Sequence, residues 1–447
     1  MYNPEDPQDE LTDLPFAQFI FDQNHPLIRL AAAIDWKNLL ERLQVFYSPD
    51  QGAPSTPLRA QAGTLMLKHL KNLPDREAVG LVLENMYAQR FCGLGPAQVS
   101  GYMNPASGPA NFRAKIGPQG MALIEEALAA AGGNKPRKRG TKLILDTTCV
   151  PADILYPTDI RLLERCRRAA LRLLRTAKNF GMKALYRTYN RTARKVFVQF
   201  SKLGKPGENK RRRVHKRMFQ FVRRNLKQLA DLRRQASREL GPRCPTDTGA
   251  RVFLQELKSV ENRIRLILHQ QKLVRQGVVH IPNRIVSFHK DHVRPIVRGK
   301  FPLSTEFGPK VLFGIVRGRV YRVASFQNNM ADALMIAPAL RWFKQRFGRL
   351  PKEVLGDRGF YARWRSRLLQ AMGIVPGLQQ RGKAVETSTS WRRMIRQRLV
   401  IEARISLGKR KFGWNKCRAR IPEHETSWIG LGAAAMNAHL AFAAQPS

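Results

Sequence analysis

Acidic residues are scarce in this sequence: 33 Asp and Glu stand against 79 Lys and Arg, for a net charge of +46. An imbalance of that size concerns partners rather than fold, because it draws polyanions at long range, and nucleic acid leads among them. A membrane surface fits less well, since the basic residues spread along the chain without a hydrophobic anchor. Cysteine is sparse too. Cys92, Cys149, Cys166, Cys244 and Cys417 are odd in number and never in C-x-x-C spacing, so neither a disulfide framework nor a zinc site is expected, and a reducing cytoplasm fits best. Long hydrophobic runs are missing: the most apolar C-terminal segment, IGLGAAAMNAHLAFA (429–443), is too short to span a bilayer and carries Asn437 and His439. The leading MYNPEDPQDELTD is acidic, the opposite of a secretory signal. No G-x-x-x-x-G-K-[ST] loop occurs, so no nucleotide cofactor is expected.

What is present divides the chain by character. Residues 1–33 read as an acidic lead-in. Residues 34–135 carry three- and four-residue apolar spacing in IDWKNLLERLQVF, LRAQAGTLMLKHL and REAVGLVLENMYAQRF, which predicts a compact all-helical domain, with Asp75 as a candidate cap of the third helix. AGGNKPRKRGT (131–141) is a basic linker. Residues 161–279 predict roughly three helices, and between 160 and 240 there are 26 Lys and Arg but 4 Asp and Glu. A solvated helix face is the plain reading of a charge run, but one so nearly single-signed repels itself without an anionic partner. After residue 280 strand-like segments (RIVSFH, VRPIVRG, KVLFGIVRGRVYRVASF, EVLGDRGF) alternate with helices, and a hairpin is expected at Arg317–Gly318. Residues 136–160 and 280–447 thus predict an α/β core split by a basic helical insertion.

Two segments share one design: an apolar strand ending in Asp, followed by polar or turn residues. They are LILD, ending at Asp146, and EVLGD, ending at Asp357. Ligands of open α/β sheets sit beyond the carboxyl ends of strands, so the two aspartates could meet there. Buried carboxylates side by side repel, and a hard divalent cation such as Mg²⁺ removes that penalty. Glu402 in RLVIEARISLGKRKFG would supply a third acid from a helix, with Arg398 four residues before and Lys409 seven after. Read alone, Glu402 and Arg398 make an ordinary i,i+4 ion pair.

In this order the segments resemble the DDE transposases of bacterial insertion sequences, in the branch with an InsH-like N-terminal domain. MLKHLKNLPDREAVGLVLENMYAQRFCG (66–93) and NFRAKIG (111–117) are similar to that domain. DTTCVPADILYPTD (146–159), VRPIVRGKFPLSTEFGPKVLF (293–313), VLGDRGFY (354–361) and IEARISLGKRKFGWNKCR (401–418) are similar to the catalytic blocks. The resemblance implies an RNase H-like core in which Asp146, Asp357 and Glu402 bind two Mg²⁺ ions, with Mn²⁺ as a substitute. It implies double-stranded DNA as partner, both element ends and target, and a homodimer in the active complex. Arg398 and Lys409, with Arg410 beside them, would contact the DNA end, and Trp414 just past the block could stack on a base. The family pattern has Tyr three residues before the Arg, where this chain has Ile395.

Lys68 and Lys71, with His69 and Arg76 nearby, would then read the ends, and Arg211, Arg212 and Arg213 would contact DNA backbone. Asp153 and Asp159 read as turn or capping residues, His289 and His292 as too few ligands for a metal, Cys149 as a small buried residue. Phe197, Phe200, Phe219 and Phe221 could stack on bases but read first as core. A non-catalytic DNA-binding descendant, or a nuclease on the same core, are the rival readings.

Overall fold

The computed structural model describes residues 21–48, 55–95, 98–133, 142–182, 187–297, 305–378 and 389–442. The lead-in's first 20 residues and most of the expected linker lie outside the described residues. The chain divides into two compact units, residues 1–153 with 296–447, and residues 154–295.

In the first unit, the N-terminal periodicity becomes helices α1 (Pro26–Ala33), α2 (Trp36–Gln44), α3 (Leu58–Lys71), α4 (Asp75–Glu84), α5 (Met86–Phe91) and α6 (Gly108–Ala131). REAVGLVLENMYAQRF is two helices, not one. Asn85 takes an extended conformation between α4 and α5, and its side chain accepts from Ala88 N, capping the second. Asp75 caps nothing by its side chain; Pro74 precedes α4, and the Asp75 carboxylate is taken by other partners.

The five-stranded sheet consists of β1 (Lys142–Cys149), β2 (Lys310–Val316), β3 (Arg319–Phe326), β4 (Glu353–Gly356) and β5 (Val375–Leu378). Its spatial order is β3-β2-β1-β4-β5, with β1 antiparallel to β2 and parallel to β4. The β2–β3 hairpin turns at Arg317 and Gly318, both with positive φ, as a two-residue twisted turn requires. Helices α11 (Ile336–Phe347), α12 (Arg363–Ala371), α13 (Thr389–Lys411) and α14 (Pro422–Phe442) complete the unit.

The N-terminal helices do not form a unit of their own. Their core residues, among them Leu43, Met66 and Ile116, belong to one cluster with Ile144, Phe313 and Leu355 of the sheet and Ile429 and Met436 of α14. The apolar C-terminal segment is therefore core: α14 is buried along most of its length, and no described helix is long and apolar enough to cross a membrane. Asn437 has a particular use there. Its side-chain amide accepts from Val320 N and donates to Val320 O, standing in for a neighbouring strand at the sheet's β3 edge.

The second unit is helical among its described residues: α7 (Asp159–Thr176), α8 (Asn190–Ser201), α9 (Glu208–Glu239) and α10 (Thr248–Arg275). It closes around its own core of Leu163, Val222, Leu257 and Ile264. RIVSFH, expected as a strand, is irregular chain. Ile285 N donates to the Gln270 side chain on α10, and Ile285 and Phe288 bury themselves in the helical core, so packing overrides β propensity.

Candidate active site

Strand β1 does not end at Asp146; it continues to Cys149, and Asp146 pairs with Phe313 on β2. Alternation along a strand sorts its side chains between faces. Leu143 and Leu145 enter one core, whereas Ile144 enters the other, and Asp146 shares the face of Ile144. On β4, Val354 belongs to the first face and Leu355 to the second, and Asp357 follows as the strand ends at Gly356. The parallel register pairs Ile144 with Leu355. Asp146 lies two residues beyond Ile144, and Asp357 follows directly after β4 ends, near enough for its charge to act on Asp146.

Helix α13 lies over that face. Its Ile401 and Ile405 join the core cluster that contains Ile144 and Leu355, and Lys142 at the start of β1 bonds both Gln397 of α13 and Glu353 of β4. This places Glu402, one position after Ile401, on the flank of the helix. It is half-exposed and paired with Arg398 at 2.8 Å. The Arg398 Nε is buried without a hydrogen-bond partner.

Charge links these groups. Burial pushes the Asp146 carboxyl up to about 6; Asp357 and Glu402 add to the rise, while the Thr147 N–H at 2.7 Å and Arg398 oppose it. Asp357 accepts from Gly359 N at 2.9 Å. Among the described residues no three Asp, Glu, His or Cys side chains converge closely enough to hold one ion. Asp146 thus feels the charge of both Asp357 and Glu402, while Glu402 itself is engaged with Arg398.

A fourth acid escaped the sequence reading. Asp332, ahead of α11, accepts from the Thr147 hydroxyl at 2.8 Å and pairs with Lys310 at 2.7 Å. A Cβ on Gly359 would fall 2.6 Å from Asp332 Oδ2 and 3.0 Å from Asp357 Oδ1, so a side chain there would push these carboxylates aside. Asp332 therefore touches the residue after Asp146 and crowds the turn after Asp357. Its only sequence signal was an acid at a helix start.

The expected DNA contacts separate on burial. Trp414 is no surface platform: it is fully buried, stacked on Phe313 with ring centroids 4.1 Å apart, and donates to Ile429 O. A Cβ on Gly408 would meet its ring at 2.0 Å, which explains a glycine inside α13. Since Phe313 is the register partner of Asp146, Trp414 ties the end of α13 to the strand beside that aspartate. Lys68 is likewise buried, bound to Asp75 at 2.5 Å and 5.0 Å from the Trp428 ring centroid, and His69 is buried beside it. Neither can reach DNA from those positions. Lys71, Arg76 and Arg410 are exposed, and Lys409 faces Glu306 at 3.8 Å. The side chain of Ile395 lies outside those described.

In the second unit Arg211, Arg212 and Arg213 are exposed. Asp159 starts α7 but does not cap it; Thr158 does, and Asp159 binds Arg284 and Gln271. Asp153 pairs with Lys416 on the surface of the first unit.

Comparison with known proteins bears on the same segments. A family model described as Transposase domain (DUF772) matches residues 15–100, and one described as Transposase DDE domain matches residues 316–438. The second match includes Asp357 and Glu402 and begins after Asp146. A Rhizobium meliloti protein, named as uncharacterized protein ORF8 in nfe locus, is 35% identical over 185 residues, 40% of this chain and 86% of that protein. No solved structure matches. The mixed α/β unit, with its sheet of both parallel and antiparallel strands, fits an RNase H-like core. The chain belongs to the DDE transposases of insertion sequences, enzymes that cleave DNA and transfer its strands.

Proposed function

We propose that Asp146, Asp357 and Glu402 are the catalytic acids of this transposase. The observation that carries the proposal is that Asp146 on β1 feels the charge of both Asp357, just past the parallel neighbour β4, and Glu402, on the helix packed over that face. DDE transposases use divalent ions, generally Mg²⁺. The donors here suit such an ion: they are hard carboxylate oxygens, and Asp146 is pushed up by burial and by its acidic neighbours, a penalty that a cation relieves. Two ions at these acids would activate the attacking oxygen and stabilise the leaving one.

The chain's own groups prepare the site. Thr147 N and Gly359 N orient the two aspartates. Arg398 holds Glu402 aside, and a DNA phosphate that engaged Arg398 would release that carboxylate toward the aspartates. Lys409 and Arg410, both about two turns beyond Glu402, would extend the same phosphate track. Lys71 and Arg76 on the N-terminal helices would meet the terminal inverted repeats, residues 154–295 would act as a basic insertion into the core, and two protomers would synapse two ends.

The test is direct. Asp357→Asn is expected to abolish cleavage of labelled element ends in Mg²⁺ while end binding persists; cleavage by that variant would remove Asp357 from the mechanism.

A further inference from the structure

The helical unit contains a groove of about 1450 Å³ that the catalytic reading leaves without a use. It lies between the start of α7, the end of α8, the loop into α9 and the end of α10. Its lining is of two kinds. Phe197, Phe200, Leu203 and Val274 give it an apolar floor; both phenylalanines pack partly on the unit's core and still face the groove. Arg161, Lys205, Arg211, Arg213 and Lys216 line it with positive charge, and among the described residues none of these five has a carboxylate partner. The two acids of the lining are already engaged, Glu208 with Arg212 and Asp159 with Arg284.

Uncompensated cations ask for phosphates, but a phosphate surface alone does not explain the phenylalanines. A DNA duplex hides the faces of its bases in its own stack and presents only backbone and groove edges. Unpaired nucleotides present both a phosphate chain and free base faces, which stack on aromatic rings. We propose that this groove binds single-stranded DNA, the backbone along Lys205, Arg211 and Arg213 and the bases against Phe197 and Phe200. The proposal rests on the reading of residues 154–295 as a DNA-contacting insertion, and names the form of DNA it takes.

The experiment uses the full chain without divalent metal, and follows the anisotropy of a labelled oligothymidine about 20 nucleotides long, enough to fill one site, beside a duplex of equal length. Phe200→Ala is expected to weaken oligothymidine about 5- to 100-fold, as the loss of one stacked base does, and to leave duplex affinity unchanged; Phe200→Trp restores it. Reversing Lys205, Arg211 and Arg213 to Glu together should flatten the salt dependence for oligothymidine by about 2 in logarithmic slope. Unchanged oligothymidine binding by a folded Phe200→Ala, or an equal loss on duplex, overturns the proposal. Should Phe200→Ala fail to fold, photocrosslinking of iododeoxyuridine-substituted oligomer to the wild-type chain decides: adducts within residues 197–216 support the groove, and adducts confined to other segments overturn it. End cleavage in Mg²⁺ is scored separately. Cleavage without a groove effect overturns the groove alone, and a groove effect without cleavage overturns only the catalytic assignment.

Discussion

Lys68 on α3 and Arg211 on α9 are both helical cations in a strongly basic chain, yet the structure treats them in opposite ways. Lys68 lies under the Trp428 ring, bound to Asp75, which also takes a two-pronged contact from Arg113. Burial, aided by Arg113, pulls its ammonium down to about 8 despite Asp75. Arg211 stands in solvent, bonded to the Pro206 carbonyl. The difference follows from their neighbours. Helix α3 is buried on nearly every side, with Leu65, Met66 and Leu67 in the core, so a cation there must bring its own counter-charge. Helix α9 begins with polar residues, and its buried positions start only at His215. One cation holds helices together and the other is available to a partner.

Breaking the buried pair should have the largest effect. Burial alone would raise the Asp75 carboxyl, but Arg113 and Lys68 hold it well below the usual carboxylate range. Asp75→Ala leaves two cations facing each other, one of them deeply buried. The expected cost is about 3 kcal/mol, the scale of a buried ion pair that loses one partner. Chemical denaturation measures it. A loss under about 1 kcal/mol would mean that water reaches Lys68 and that the pair behaves as a surface contact.

A second charged group sharpens the comparison from the opposite side, because Asp146 is half-buried among other acids rather than among cations. Its folded carboxyl ionises near 6, against 3.8 for the ordinary group, so between those values the folded protein holds the extra proton. Stability from this group is therefore lost as pH rises from about 4 to about 6, and the penalty stays constant above that, at about 2–3 kcal/mol. Asp146→Asn is expected to be inactive and yet more stable than wild type at pH 8, with the advantage gone at pH 4. Thermal melts at the two pH values check this. An advantage that persists at pH 4 would assign the gain to packing instead.

Much of this was legible in the sequence, and the failures share a cause. The KVLFGIVRGRVYRVASF strands with their Arg317–Gly318 turn and the spacing of Arg398 and Glu402 are local signals, and each appears where the residues indicate, whereas the strand expected at RIVSFH does not. Trp414 and Lys68 were misplaced because their surroundings are assembled from distant segments: Phe313 and Gly432 for one, Asp75, Arg113 and Trp428 for the other. The same is true of Asp332, whose link to Thr147 spans 185 residues. The N-terminal helices read as a domain because their periodicity is complete; that their core continues into the sheet depends on α14, at the far end of the chain.

The smallest expected effect lies at the exposed end of the comparison. Glu208 pairs with Arg212 across one turn at the start of α9, where both side chains are largely in solvent. Such a pair contributes about 0.5 kcal/mol at most, even with an acid in the first turn of a helix. Glu208→Gln should therefore leave denaturation nearly unchanged. It should also free Arg212 and remove one of the two acids that line the basic groove, so affinity for a polyanion should rise about twofold at low salt and return to wild type as screening shortens the Debye length. A stability loss as large as that of Asp75→Ala would show that the pair is structural and that the exposed cations of α9 are not held in reserve. A gain in DNA affinity with unchanged stability would show that, in this part of the chain, positive charge is kept for binding rather than for folding.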